Sequence, residues 1–275
     1  CSAFQDSILA MSHGFPGGWL MLVSAWSAQA EGARGDAEAA TAALRRSEEA
    51  YGPQVAVFLP ELALARAWER ASVGQTTAAR MHAVRAAQLA RQSGMHAVEM
   101  RALHSAVRFG DRSHAARLQE LARTLNTRLA EAIATQARGL AHHDGDLLDA
   151  AAGRFTDLGA PALAAHAMAQ AAGEHARSGD RGKEIESSTR AYGLASQCGL
   201  RTPAIDAAAR PLPFSGRERD IAMLVEAGLS NRQIADRLVV SVRTVEGHLY
   251  RIFAKLGINN RDQLIQLLSL ERTGT

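Results

Sequence analysis

The sequence has little of what most fold classes require. Aromatic residues make up 5% of its 275 positions, and Cys1 and Cys198 are its two cysteines. So few aromatics speak against an all-β sandwich or barrel. Two cysteines exclude a disulfide scaffold, no zinc-finger or zinc-ribbon spacing is present, and a reducing, cytoplasmic compartment is the expectation. Lys183 and Lys255 are the two lysines among 31 basic residues, which stand against 28 acidic ones. The resulting net charge of +3 excludes a histone-like polybasic protein, so any nucleic-acid site must be a local patch. The apolar stretch from Trp19 to Trp26 is too short to span a bilayer and is broken by Ser24. Residues 1–30 carry no basic leader region. With Cys1 in place of an initiating Met, the start reads as a cut into a longer helical protein.

What the chain has in excess is alanine, 56 residues. Alanine is the best helix former, so the fold class expected is all-α. At about 100 to 200 residues per domain the length suggests two domains. The alanines are unevenly shared between them, with four following Phe214.

Turn signals recur along the alanine-rich part at Gly35-Asp36, Gly74-Gln75, Gly110-Asp111, Gly145-Asp146 and Gly179-Asp180. Their spacings of 39, 36, 35 and 34 residues match the period of a two-helix repeat. Five residues beyond the first four glycines stand Ala40, Ala79, Ala115 and Ala150, where a small side chain lets helices approach closely; Glu184 breaks the rule in the fifth unit. Second breakers close several units at Gly52-Pro53, Gly94, Gly159-Ala160-Pro161 and Gly199. In period, in the Gly-Asp turn and in the small residue of the second helix, residues 20–200 resemble the tetratricopeptide family. The family's usual aromatic positions are mostly missing, apart from residues such as Trp68. A domain of tetratricopeptide-like repeats is therefore expected over 1–200; the plain alternative is a bundle in which alanine is helix filler.

Over 201–213 the pattern changes. Pro203, Pro211 and Pro213 interrupt it and Ala207 to Ala209 carry no amphipathic period, so a linker is expected. Residues 214–271 are punctuated differently. Ser215-Gly216-Arg217-Glu218 and Ser230-Asn231-Arg232-Gln233 are capping boxes, and Gly228 ends the helix between them. Ser241 is a third N-cap, opening a helix closed by Gly257. Asn260-Arg261-Asp262-Gln263 starts a fourth. In the third helix Val242, Val245, Leu249, Ile252 and Leu256 form one apolar stripe and are expected in the core. Thr244, His248, Arg251 and Lys255 form a polar, mostly cationic second stripe, and Arg243, Glu246, Gly247 and Tyr250 occupy the remaining face. A helix with an apolar back and a basic front, preceded by a short helix and tight turn, suits a major groove. Residues 212–275 hold nine Arg plus Lys against seven Asp plus Glu. That segment therefore carries +2 of the total +3.

Residues 212–270 closely resemble the LuxR-type helix-turn-helix domain, through the run from Leu229 to Leu256, "LSNRQIADRLVVSVRTVEGHLYRIFAKL", with Glu218 and Gly228 before it and Gly257-Ile258 after it. The resemblance implies a four-helix domain whose third helix, 241–256, reads double-stranded DNA. Carried over position by position, it places Arg232, Thr244, His248, Arg251 and Lys255 near phosphates, with Ser241 at the helix start. Glu246, Gly247 and Tyr250 then face base edges, with Arg243 at the margin. In the family the fourth helix commonly pairs with a second subunit, which here points to Leu264, Ile265, Leu267 and Leu268 and to a homodimer on DNA. Helical repeats followed by this domain look like the large ATP-dependent LuxR regulators of bacteria. That likeness implies a nucleotide-binding module upstream and a protein or small-molecule effector at the repeats.

No catalytic constellation is present, and neither a cofactor nor a metal is expected. Gly182-Lys183 fails as a phosphate loop because Arg177 and Glu184 stand where Gly and Ser or Thr are needed. His142-His143-Asp144 with Asp146 reads as a solvated turn, His166 and His175 lack an obvious third ligand, and Cys198 lacks a basic neighbourhood. The expectation is a non-enzymatic transcription regulator; the alternative is an interaction scaffold whose terminal helices bind protein.

Overall fold

The computed structural model describes residues 17–208, 212–256 and 258–272; Cys1, Ala209, Pro211 and Gly257 lie outside them. These residues form fifteen α-helices and no strand. The first eleven are α1 (Gly17–Ala33), α2 (Ala37–Glu49), α3 (Leu59–Ser72), α4 (Thr76–Gln92), α5 (His96–Arg108), α6 (Ala115–Leu125), α7 (Arg128–Ala141), α8 (Gly145–Asp157), α9 (Pro161–Ser178), α10 (Arg181–Cys198) and α11 (Pro203–Ala208), with a 3-10 turn at Pro53–Phe58 before α3. Consecutive helices pack on one another, and α1 also packs on α3. No helix among the described residues is long and apolar enough to cross a membrane.

Most of the junctions are built alike. Gly35, Gly74, Gly94, Gly110, Gly159, Gly179 and Gly199 all have positive φ. At each the next residue's N–H reaches back five residues, as in Asp36 N–H to the Glu31 carbonyl and Asp180 N–H to the His175 carbonyl. This left-handed cap satisfies the last helical carbonyls and reverses the chain in two residues. The fourth unit departs from the glycine spacing: its left-handed residue is His143, with φ of 59°, and Gly145 lies inside α8. The small-residue rule fails there for this reason. Ala40 and Ala79 are buried and Ala115 partly so, whereas Ala150 is exposed and Leu148, five residues after His143, is buried.

A Cβ on Gly32 would stand 2.6 Å from the Trp68 carbonyl oxygen, so α1 and α3 cross there almost backbone to backbone. The array then curves until its ends meet. The N–H of Arg201 donates to the Ala33 carbonyl at 3.1 Å, beside a cavity of about 1110 Å³ lined by Arg34, Asp36, Tyr192, Arg201 and Asp206 among others. The stretch expected as a linker therefore includes ordered structure. Pro203 is the first residue of α11, where its missing N–H costs no hydrogen bond, and Ile205 is buried against the array.

The remaining helices are α12 (Gly216–Glu226), α13 (Asn231–Leu238), α14 (Val242–Leu256) and α15 (Arg261–Arg272). They enclose a second core around Ile221, Val225, Ile234, Val245, Ile252, Leu256 and Leu264.

Candidate nucleic-acid interface

Both capping boxes are formed. Ser215 accepts from the Glu218 N–H while Glu218 accepts from the Ser215 N–H, and Ser230 and Gln233 do the same at α13. Ser241 Oγ accepts from the Thr244 N–H at 3.1 Å and shares a hydrogen bond with Thr244 Oγ1 at 2.8 Å. Asn260 Oδ1 accepts from the Gln263 N–H at 2.9 Å. Each helix of this small domain thus has its start fixed by its own side chains.

Between α13 and α14 the chain turns through Val239, a β-branched residue with φ of 53°. That conformation costs an L-residue roughly 1–2 kcal/mol. The first turn of α14 that follows is exposed from Val242 to Thr244. Val242, expected in the core, is 38% exposed, while Val245, Leu249, Ile252 and Leu256 are buried. The reason is its position as the first residue of α14, beyond the edge of the core.

Arg243, Gly247 and Tyr250 fall on the side of α14 opposite the core, with Glu246 adjacent. All four are exposed, Tyr250 to 76%. The side chains of Arg243, Glu246 and Tyr250, and those of Arg232 and Arg237 on α13, make no hydrogen bond or ion pair with any described residue. Exposed charged groups left unpaired are available to a partner. Nothing stands within 4 Å of where a Gly247 Cβ would be, so nothing in the chain itself excludes a side chain there.

The cationic stripe divides into two parts. Arg251 is exposed; its Nε donates to the Gly247 carbonyl at 3.2 Å and its Nη2 lies 3.2 Å from His248 Nδ1. Burial first, and the Arg251 charge second, lower the His248 pKa. Lys255 instead turns inward, its Nζ 2.6 Å from Glu218 Oε2. This contact and the capping bonds hold the Glu218 carboxyl down to about 2. The LuxR resemblance implies a phosphate contact for Lys255, whose ammonium is instead paired within the domain. Arg261 has a role the pattern did not disclose: its guanidinium donates to the Leu229 carbonyl and to Asn231 Oδ1, tying the start of α15 to the α12–α13 turn.

Leu264, Leu267 and Leu268 point into the domain's own core, and Ile265 is half-buried. Packing within one chain accounts for these side chains. α15 also packs on α10: Ile185 packs against the second core, and Arg181 Nε donates to the Lys255 carbonyl at 3.4 Å. In the array, His175 approaches Asp149 at 2.8 Å, with Asp146 nearby. The Lys183 ammonium sits 2.6 Å from Asp146 and supplies this cluster with a cation from the chain itself.

Residues 212–268 match the family model of bacterial regulatory proteins, luxR family. They form a LuxR-family helix-turn-helix domain, the DNA-binding module of such regulators. Among similar proteins, an HTH-type transcriptional regulator of Mycobacterium tuberculosis is 56% identical over 48 residues, 18% of this chain and 5% of the relative. Response regulator Rre1 of Synechocystis is 44% identical over 55 residues, 20% of this chain and 24% of that protein. Oxygen regulatory protein NreC of Staphylococcus aureus is 42% identical over 53 residues, 19% and 24% respectively. The chain thus spans between a twentieth and a quarter of the length of these relatives. No solved structure matches it significantly.

Proposed function

We propose that the chain is a cytoplasmic, non-enzymatic transcription regulator that lays α14 in the major groove of double-stranded DNA. The observation that carries this reading is the exposed, unpaired set Arg243, Glu246 and Tyr250 on the face of α14 opposite the core, together with the exposed, unpaired Arg232 and Arg237 of α13. Arg232, Thr244, His248 and Arg251 meet phosphates, which supply affinity without sequence information. Lys255 joins them only by leaving Glu218. Glu246 accepts from a base amino group and Tyr250 contacts base edges, with Arg243 at the margin; Gly247 lets a base or methyl group come close to the backbone. The tetratricopeptide-like array is the sensor and assembly module. Two copies pair through α15 over half-sites about one helical turn apart. Because α10 packs on α15, pairing through α15 and the array contact compete, and an effector that shifts the array would release it.

The test is a fluorescence-anisotropy titration against the gene's own upstream DNA at several salt concentrations. Four phosphate contacts per subunit predict affinity roughly a hundredfold weaker over a fourfold rise in salt. Absence of binding at low salt refutes the reading.

A further inference from the structure

The helical array also holds an apolar cavity, outside the luxR-family domain. Along α5, Met100, His104 and Arg108 recur at helical spacing and line one wall of a cavity of about 420 Å³. Leu129 and Ile133 of α7 form the opposite wall, and Leu163 of α9 closes it. A cavity of this size and apolar character suits a small organic ligand.

Its polar lining is unusual. Arg101 is paired with Glu61, so its charge is spent within the chain. His104 is buried and donates from Nε2 to Gln136, which donates to Gln170, which donates to the Val107 carbonyl. Burial drives the His104 pKa down to about 3, so the ring is neutral and adds no cation. Arg108 makes no hydrogen bond or ion pair with any described residue, and its Nε is sealed from solvent without an acceptor. Burial lowers its pKa to about 9. The Trp68 ring lies 4.4 Å from the guanidinium carbon and Arg108 ends α5, so a π-face and a helix C-terminus both favour the cation. Neither is a counter-ion. A partly buried guanidinium without a carboxylate is costly, and guanidinium geometry matches a carboxylate's two oxygens.

We propose that this cavity binds a small apolar monocarboxylate, its carboxylate paired with Arg108 and its hydrocarbon part between α5 and α7. The inference deepens the sensor reading above, and it is tested on ligand binding alone.

Isothermal titration with octanoate, and with octanol as the uncharged probe of equal chain length, decides it. Octanoate should bind saturably and octanol at least ~10-fold more weakly, a difference of about 1.4 kcal/mol. Arg108→Met should weaken octanoate by a similar factor while leaving octanol unchanged. Leu129→Trp, at an exposed rim position, narrows the cavity without entering the core and should weaken both probes; this variant keeps the test decisive if Arg108→Met fails to fold. No saturation by octanoate, equal affinity for octanol, or octanoate binding indifferent to both variants overturns the proposal. DNA binding without octanoate binding defeats this inference alone, and the reverse result defeats the regulator reading alone.

Discussion

Lys255, near the end of α14, reaches back 2.6 Å to Glu218 in the first turn of α12, and Glu218 in turn caps Ser215. One ammonium group thereby joins α14 to the start of the domain. The Glu218 side chain is 4% exposed and that of Lys255 41%, so water screens the cation's outer side but hardly the carboxylate.

Lys255→Met therefore acts mainly on stability. Breaking a fully buried pair costs about 3–5 kcal/mol; with Lys255 this wet, about 1 kcal/mol is expected, read from urea unfolding. The Glu218 carboxyl is depressed from 4.5 to about 2. Its stabilisation is complete above pH 4.5, where the unfolded chain is also ionised, and is lost as pH falls from there towards 2. Glu218→Gln should flatten stability over that window; an unchanged acid limb would refute the coupling.

Substitutions on the exposed face should separate by role. Arg232→Gln and Arg251→Gln are expected to weaken binding to every sequence and to reduce the salt slope by about one each. Tyr250→Ala and Glu246→Gln should instead change which sequences are preferred, by about 1–3 kcal/mol at the affected base pair. Binding-site selection with each variant distinguishes these outcomes.

Gly247→Ala provides an opposed pair of effects. Alanine is favoured over glycine in a helix interior by about 1 kcal/mol, and the position is open, so the domain should become more stable. If a base approaches the backbone there, DNA affinity should fall in the same variant. Thermal unfolding and anisotropy on one preparation measure both.

His248 is biased towards its neutral form by burial and by Arg251. Phosphates near it would favour the charged form, so its pKa is higher in the complex than in the free protein. Affinity should then rise as pH falls through the complex value and level off below the free one, with an uptake of at most one proton per subunit. His248→Gln should remove that dependence.

The DNA-binding domain was largely legible in the sequence because its signals are local. Ser215, Ser230, Ser241 and Asn260 each cap the helix that follows within three residues, and the stripe from Val245 to Leu256 has helical spacing. What was hidden depends on distance along the chain or on backbone geometry. Glu218 and Lys255 are 37 residues apart, Val242 opens α14 three residues before the first buried position, Val245, and a left-handed His143 marks a turn that the Gly145-Asp146 pair had suggested two residues later. Nothing in the sequence sets Arg108 apart from the other arginines that end helices; only the fold places it against Trp68 with no acid paired to it.

The hydrogen bond from Arg201 to Ala33 has a consequence for how the array comes apart. An open stack of hairpins frays from its terminal units, each held by one neighbour. Here the last long helix is pinned to the first, so loss of either end exposes the other. Hydrogen exchange should show α1 and α10 opening together, at a rate set by the whole array, in place of a gradient of protection from the middle outwards.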